Sequence, residues 1–208
     1  MPYIPTAFRP PPRYLTQAEV GAFFRGIDDV RDRALFSLIY HFGLRVSEVA
    51  LLERRDVDLE RGRIIIKRVK NGYWMERPLF ASTDALLRPY LVEHDGRDAA
   101  ALFPGRDGPL KKRQIQALFT LYRDRARLPR HYTCHSLRHS IATHLLDAGV
   151  SLEFVQDHLG HRNIQSTTIY ARITDQHRAQ LFKRLDASPW IVHPDVDRVI
   201  SPGKESSP

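Results

Sequence analysis

Residues 131–144, HYTCHSLRHSIATH, gather four histidines, an arginine and the chain's one cysteine. Two chemistries could use such a set. His135 and His139 lie four residues apart, so on a helix they share a face and both could reach one metal ion. The zinc-protease pattern of that spacing needs glutamate directly after the first histidine, and position 136 is serine. Cys134 has no Cys-x-x-Cys partner, and His131 and His144 complete no ligand pattern, so no metal is expected. The second chemistry is anion binding. A helix opening near His135 would turn free amides and its positive dipole end toward a phosphate. Arg138, one turn further on, can offer a planar fork of donors to two phosphate oxygens.

Taken singly, Arg138 reads as a surface ion pair and His139 as an interior histidine. Partners elsewhere change that reading. Gly43-Leu-Arg45-Val-Ser-Glu48 sets an arginine just after a helix break, with an acid one turn on. Lys70 precedes Asn71-Gly72, the favoured two-residue hairpin turn, whose tip can reach into a cleft. Leu159-Gly160-His161 puts a histidine just past a helix end, and Tyr170 follows after a short segment.

These residues need a scaffold. A chain of 208 residues can bury one real core. Thr16-Gln-Ala-Glu19 forms a capping box, and Val20, Phe23, Phe24 and Ile27 follow at helical spacing. A second helix carries Leu35, Leu38, Ile39 and Phe42 and stops near Gly43; a short one follows from Arg45. The period then changes to short strands at 57–59, 63–69 and 74–79, the last two paired antiparallel through Asn71-Gly72. Helices are expected again at 82–93, 111–127, 135–148, 151–159, 164–170 and 175–185, with a stripe of Leu137, Ile141, Leu145 and Ala148 buried behind the His-Arg cluster. The result is an α+β, mainly helical domain over residues 16–186 with a small three-stranded antiparallel sheet. A Pro-rich arm (1–15) precedes it and a tail (187–208) follows.

The net charge of +8 and pI near 9.9 favour a polyanionic partner. A single cysteine fits a reducing compartment. No apolar run approaches the roughly 20 residues a membrane span needs, and the proline-rich start has no signal-peptide core. A cytoplasmic protein whose positive charge serves DNA or RNA, with no membrane partner, is the expectation.

In its order Arg…Lys…His-x-x-Arg-His…Leu-Gly-His…Tyr, the chain resembles the catalytic domain of the tyrosine recombinases, or phage integrase family. The resemblance covers about residues 14–185 and rests on GLRVSE, HSLRH, LGHRN and TTIYAR. It implies a catalytic set of Arg45, Lys70, His135, Arg138, His161 and Tyr170, with Glu48 and His139 in support. Tyr170 would attack the phosphodiester, the arginines and histidines would stabilise the transition state, and Lys70 would protonate the leaving 5′ oxygen, without metal or nucleotide cofactor. Lys67 is a rival for the acid role, because Tyr73-Trp74-Met75 stand where many members carry basic residues. The short N-terminal arm and LGHRNI resemble the single-domain members that act as fimbrial-switch invertases. Members of that kind imply a homotetramer on a specific double-stranded DNA recombination site, associated with the nucleoid, with accessory DNA-bending proteins. Residues 174–185 resemble a helix that family members dock onto a neighbouring subunit. Arg54, Arg55, Arg61, Arg63, Lys67, Arg68, Lys111, Lys112 and Arg113 are candidate phosphate contacts. A nicking and resealing topoisomerase of type IB and a non-catalytic DNA-binding regulator are the alternatives.

Overall fold

The computed structural model describes residues 13–68, 74–94 and 100–160. Lys70, the Asn71-Gly72 turn, His161, Tyr170, the helices expected at 164–170 and 175–185, and the tail lie outside the described residues.

Helix α1 (Gln17–Arg25) starts as its sequence dictates. The Thr16 hydroxyl accepts the Glu19 amide at 3.2 Å, and the Glu19 carboxylate accepts the Thr16 amide at 2.8 Å. Leu15, at the end of the expected arm, is already fully buried, and its amide donates to Ser140 Oγ at 2.8 Å. The packed domain therefore begins before the capping box. Helix α2 (Val30–His41) is buried on nearly every side, from Asp32 to Ile39, which makes it the central helix. Its N-cap is Asp29, whose carboxylate accepts the Asp32 amide at 2.9 Å. Phe23 of α1 and Phe36 of α2 meet edge to face at 5.2 Å, and both rings pack on Phe119 and Tyr122. Those last two belong to α5 (Lys112–Arg125).

The α2 end is a left-handed turn. Gly43 has φ +54°, and the Leu44 amide reaches back to Ile39 O at 3.1 Å. Helix α3 (Val46–Val49) follows, then a 3₁₀ turn at Arg54–Asp56. Strands β1 (Val57–Asp58), β2 (Arg63–Lys67) and β3 (Trp74–Pro78) form the expected antiparallel sheet in the order β1-β2-β3, with Lys67 opposite Trp74 and Arg63 opposite Pro78. Helix α4 (Ala81–Glu93) packs on α2. A two-residue hairpin, β4 (Pro104–Gly105) and β5 (Gly108–Pro109), leads into α5; the expected elements did not include it.

Helix α6 (Cys134–Asp147) lies against α2, and α7 (Leu152–Leu159) packs on α6 through Ile141, Ala142, Leu146, Val155 and Leu159. The buried surface of α6 is wider than the expected stripe: Ser136, Ser140, Ala142, Thr143 and His144 are buried too, whereas Ala148 lies past the helix and is exposed. α7 ends on Gly160, at φ +65°, one residue before His161.

Candidate active site

Arg45 is the N-cap of α3, and its position follows from the turn at Gly43. Glu48 returns to it from one turn on, accepting the Arg45 amide with Oε2 at 2.8 Å and Arg45 Nη1 with Oε1 at 2.8 Å. The Glu48 side chain is fully buried, while that of Arg45 keeps 27% of its surface open. The acid thus anchors a guanidinium that stays part-open. Burial alone would raise the pKa of Glu48. The charge of Arg68 and the hydrogen bonds from Arg45 and Arg68 outweigh it and hold the carboxyl below its ordinary value.

Helix α6 opens one residue earlier than expected, with Thr133 as N-cap, so Cys134 and His135 occupy its first turn. Cys134 turns inward, 3.8 Å from Ile115 O. Burial pushes its thiol up to about 12, overriding the acidifying effect of a helix N-terminus. His135 turns outward and is exposed. The protein packed behind its ring, then the charges of Arg138 and Arg45, hold its pKa below the ordinary value. It is therefore a neutral imidazole at pH 7. His139 meets the His135 ring edge to face at 4.4 Å; burial, His135 and Arg138 depress it to about 4.

Arg138 is almost wholly buried. Nη1 donates to Gly43 O and Nη2 to Leu159 O at 2.9 Å, so this guanidinium ties the end of α2 to the end of α7. The structure therefore brings Arg45, Glu48, His135, Arg138 and His139 together. Lys70, His161 and Tyr170 lie outside the described residues. Two other tyrosines are committed elsewhere: Tyr122 donates to Asp32 Oδ2 at 2.6 Å and Tyr132 to Glu19 Oε1 at 3.2 Å. Among the described residues no three His, Cys, Asp or Glu side chains converge as a metal site would require.

The basic residues divide. Arg55, Arg61, Arg63, Lys111, Lys112 and Arg113 are exposed. Lys67 keeps only 14% of its side chain open and pairs with Asp56 at 2.9 Å and Glu53 at 3.2 Å. Arg54 donates to His94 O at 3.1 Å and Leu91 O at 3.4 Å, at the end of α4. Arg68 departs furthest from the expected phosphate contact. It is 2% exposed and donates to Glu48 Oε2 at 2.8 Å, His158 O at 2.8 Å and Phe42 O at 3.2 Å. Strand alternation explains the difference: Ile64 and Ile66 face the core, and Arg68 shares their parity.

The profile of the phage integrase family matches residues 13–177. The tyrosine recombinase XerA of Thermococcus onnurineus is 36% identical over 171 residues, a match that covers 80% of this chain and 60% of that protein. The crystal structure of a XerA recombinase superposes with a TM-score of 0.76 at 26% identity, over 86% of this chain and 66% of that one. The site-specific recombinase XerH, bound to its difH substrate in a pre-cleavage complex, superposes with a TM-score of 0.72 at 27% identity, over 91% and 58% of the two chains. The chain spans about half to two-thirds of the length of the curated relatives it matches.

Proposed function

The chain belongs to the phage integrase family, and from that premise we propose that it is a site-specific recombinase that cuts and rejoins double-stranded DNA through a 3′-phosphotyrosine. The observation that carries the proposal is the Arg45–Glu48 pair beside His135. A buried acid orients a part-open guanidinium next to a neutral imidazole at a helix N-terminus. That combination suits a phosphodiester whose charge grows during attack.

In the proposed reaction the Tyr170 oxygen attacks phosphorus and the bond to the 5′ oxygen breaks. His135, neutral at pH 7, accepts the phenol proton. The leaving 5′ oxygen takes a proton from Lys70. Lys67 is the weaker candidate for that step. Desolvation would lower its pKa, but the hydrogen bonds it donates to Asp56 and Glu53 outweigh this and raise it, making it a poorer acid. Arg45 neutralises the non-bridging oxygens, and His161 would join it there. Attack by the 5′-hydroxyl of a partner strand then regenerates Tyr170. The phosphotyrosine conserves the bond energy, so rejoining needs no nucleotide cofactor. We assign exposed Arg55, Arg61, Arg63, Lys111, Lys112 and Arg113 to the DNA backbone. A homotetramer on DNA, aided by DNA-bending proteins in the nucleoid, is the assembly this reading implies.

The test is covalent capture. A pool of nicked random-sequence duplexes is incubated with the protein, adducts resistant to denaturant are isolated, and the captured sequence is used as the substrate. An adduct that disappears in Tyr170→Phe supports the reading, and strand exchange between two captured duplexes separates a recombinase from a topoisomerase. An adduct that persists in Tyr170→Phe refutes the choice of nucleophile. A wild-type chain that binds duplex and never forms an adduct refutes the enzyme.

A further inference from the structure

We infer that Arg68 is a positioning residue for strand cleavage, the buried clamp that holds Arg45 and the two loops flanking it in register. This rests on the recombinase reading above. Three observations carry it. First, Glu48 Oε2 accepts both the Arg45 amide and Arg68 Nη1, each at 2.8 Å, while Oε1 holds Arg45 Nη1. Removing Arg68 leaves a fully buried carboxylate with a single cationic partner, free to rotate or to take up a proton, and in either case Arg45 loses its aim. Second, Arg68 Nη2 donates to Phe42 O and His158 O, at the ends of α2 and α7. A cation there offsets the negative ends of two helix dipoles at once and satisfies carbonyls that helix geometry leaves over. Third, the residue stands immediately after β2 and two positions before Lys70, while the loops it clamps lead directly into Arg45 and His161. One side chain therefore fixes the backbone at three places from which proposed catalytic residues depart.

Arg138 makes a parallel link a residue further along each helix end, to Gly43 O and Leu159 O. Two guanidiniums thus bridge the same pair of helix ends and brace the turn that leads into Arg45. The pair of Arg68 with Glu48, 1% and 0% exposed, brings little net stability once desolvation is counted, whereas its geometry is specific. A lysine cannot replace it, because the carboxylate is held by Nη1 and the two carbonyls by Nη2, a fork that one ammonium nitrogen does not have.

The experiment compares Arg68→Met, Arg68→Lys and Glu48→Gln with the wild-type chain on the captured nicked duplex, reading duplex affinity and the single-turnover rate of adduct formation at saturating DNA. Misplacement of Arg45 by a fraction of an ångström to an ångström should cost roughly 10²-fold in that rate in Arg68→Met. Affinity and its salt dependence should stay at the wild-type value, and Arg68→Lys should fail to rescue the rate. Combining Arg68→Met with Glu48→Gln should lose no more than the worse single variant, since both act through one carboxylate. A wild-type rate in Arg68→Met overturns the inference. So does a loss carried by affinity with a reduced salt slope, the behaviour of a phosphate contact, or a strictly additive double variant. Unchanged duplex affinity shows that a slow variant is folded; if Arg68→Met does not fold, Arg68→Lys decides by the same criteria. Absence of any adduct from the wild-type chain marks failure of the recombinase reading itself, a result distinct from all of these.

Discussion

Replacing Gly43 with alanine tests how closely the ends of α2 and α7 are fitted. Gly43 has φ +54°, where an L-residue pays about 1–2 kcal/mol for its Cβ. The new Cβ would also run into the Leu159 side chain, which is fully buried. Overpacking of that kind costs about 1–3 kcal/mol, so the whole change should cost about 2–5 kcal/mol. Gly62 supplies the control. Its φ is +62°, but nothing lies within 4 Å of a Cβ built there, so Gly62→Ala should show only the backbone part. Equilibrium urea unfolding of the two variants, with the slope checked for constancy, separates the contributions. Placing Gly43→Ala in a Leu159→Ala background should return the packing part and leave the backbone part. Equal losses for Gly43→Ala and Gly62→Ala, or no relief from Leu159→Ala, would refute the fitted-ends argument.

Two further outcomes are expected. His41, bonded to Thr83 Oγ1 at 2.6 Å and stacked on Phe80, is held at about 4 by burial and then by His158, and His139 likewise stands at about 4. Their ordinary value is 6.5, so between 4 and 6.5 the unfolded chain binds more protons. Stability is complete above pH 6.5 and falls as pH drops toward 4, by up to about 1.4 kcal/mol per pH unit for each histidine. Urea unfolding across that range should show the slope reduced in His139→Gln, and an unchanged slope would contradict the assignment. For the leaving group, Lys70→Ala should stall cleavage, and a bridging 5′-phosphorothiolate, whose thiolate departs without a proton, should restore it. Lys67→Met should leave the rate on ordinary DNA unchanged and weaken only the packing around Glu53 and Asp56; the reverse pattern would make Lys67 the acid.

Much of this was legible in the residues themselves. Caps and turns are local chemistry, so Thr16 with Glu19, Gly43 and Gly160 marked element ends where the structure has them. Alternation and the Asn-Gly pair gave the antiparallel pairing of β2 with β3. The Arg45–Glu48 spacing announced its own hydrogen bonds, because residues three apart in a helical turn face each other. The β4–β5 hairpin left no period to read, being two residues a strand. Arg68 was misread for a different reason. Its charge suggested the surface, while its parity with Ile64 and Ile66 pointed inward, and only tertiary partners 20 to 90 residues away could decide between the two. Arg138 takes its carbonyl partners from outside its own helix, at Gly43 after α2 and at Leu159 of α7.

Those distant partners have a consequence for biosynthesis. Arg45 is translated early, but the bonds that fix its surroundings are completed by His158 O and by Arg138, about a hundred residues later in the chain. Leu15 waits even longer along the chain for Ser140, 125 positions on. A polypeptide still emerging from the ribosome therefore holds the arginine but not the partners that brace its turn, and contacts of such long range form late. Arg45 and the carbonyls and guanidiniums around it thus become one unit only when α7 is in place.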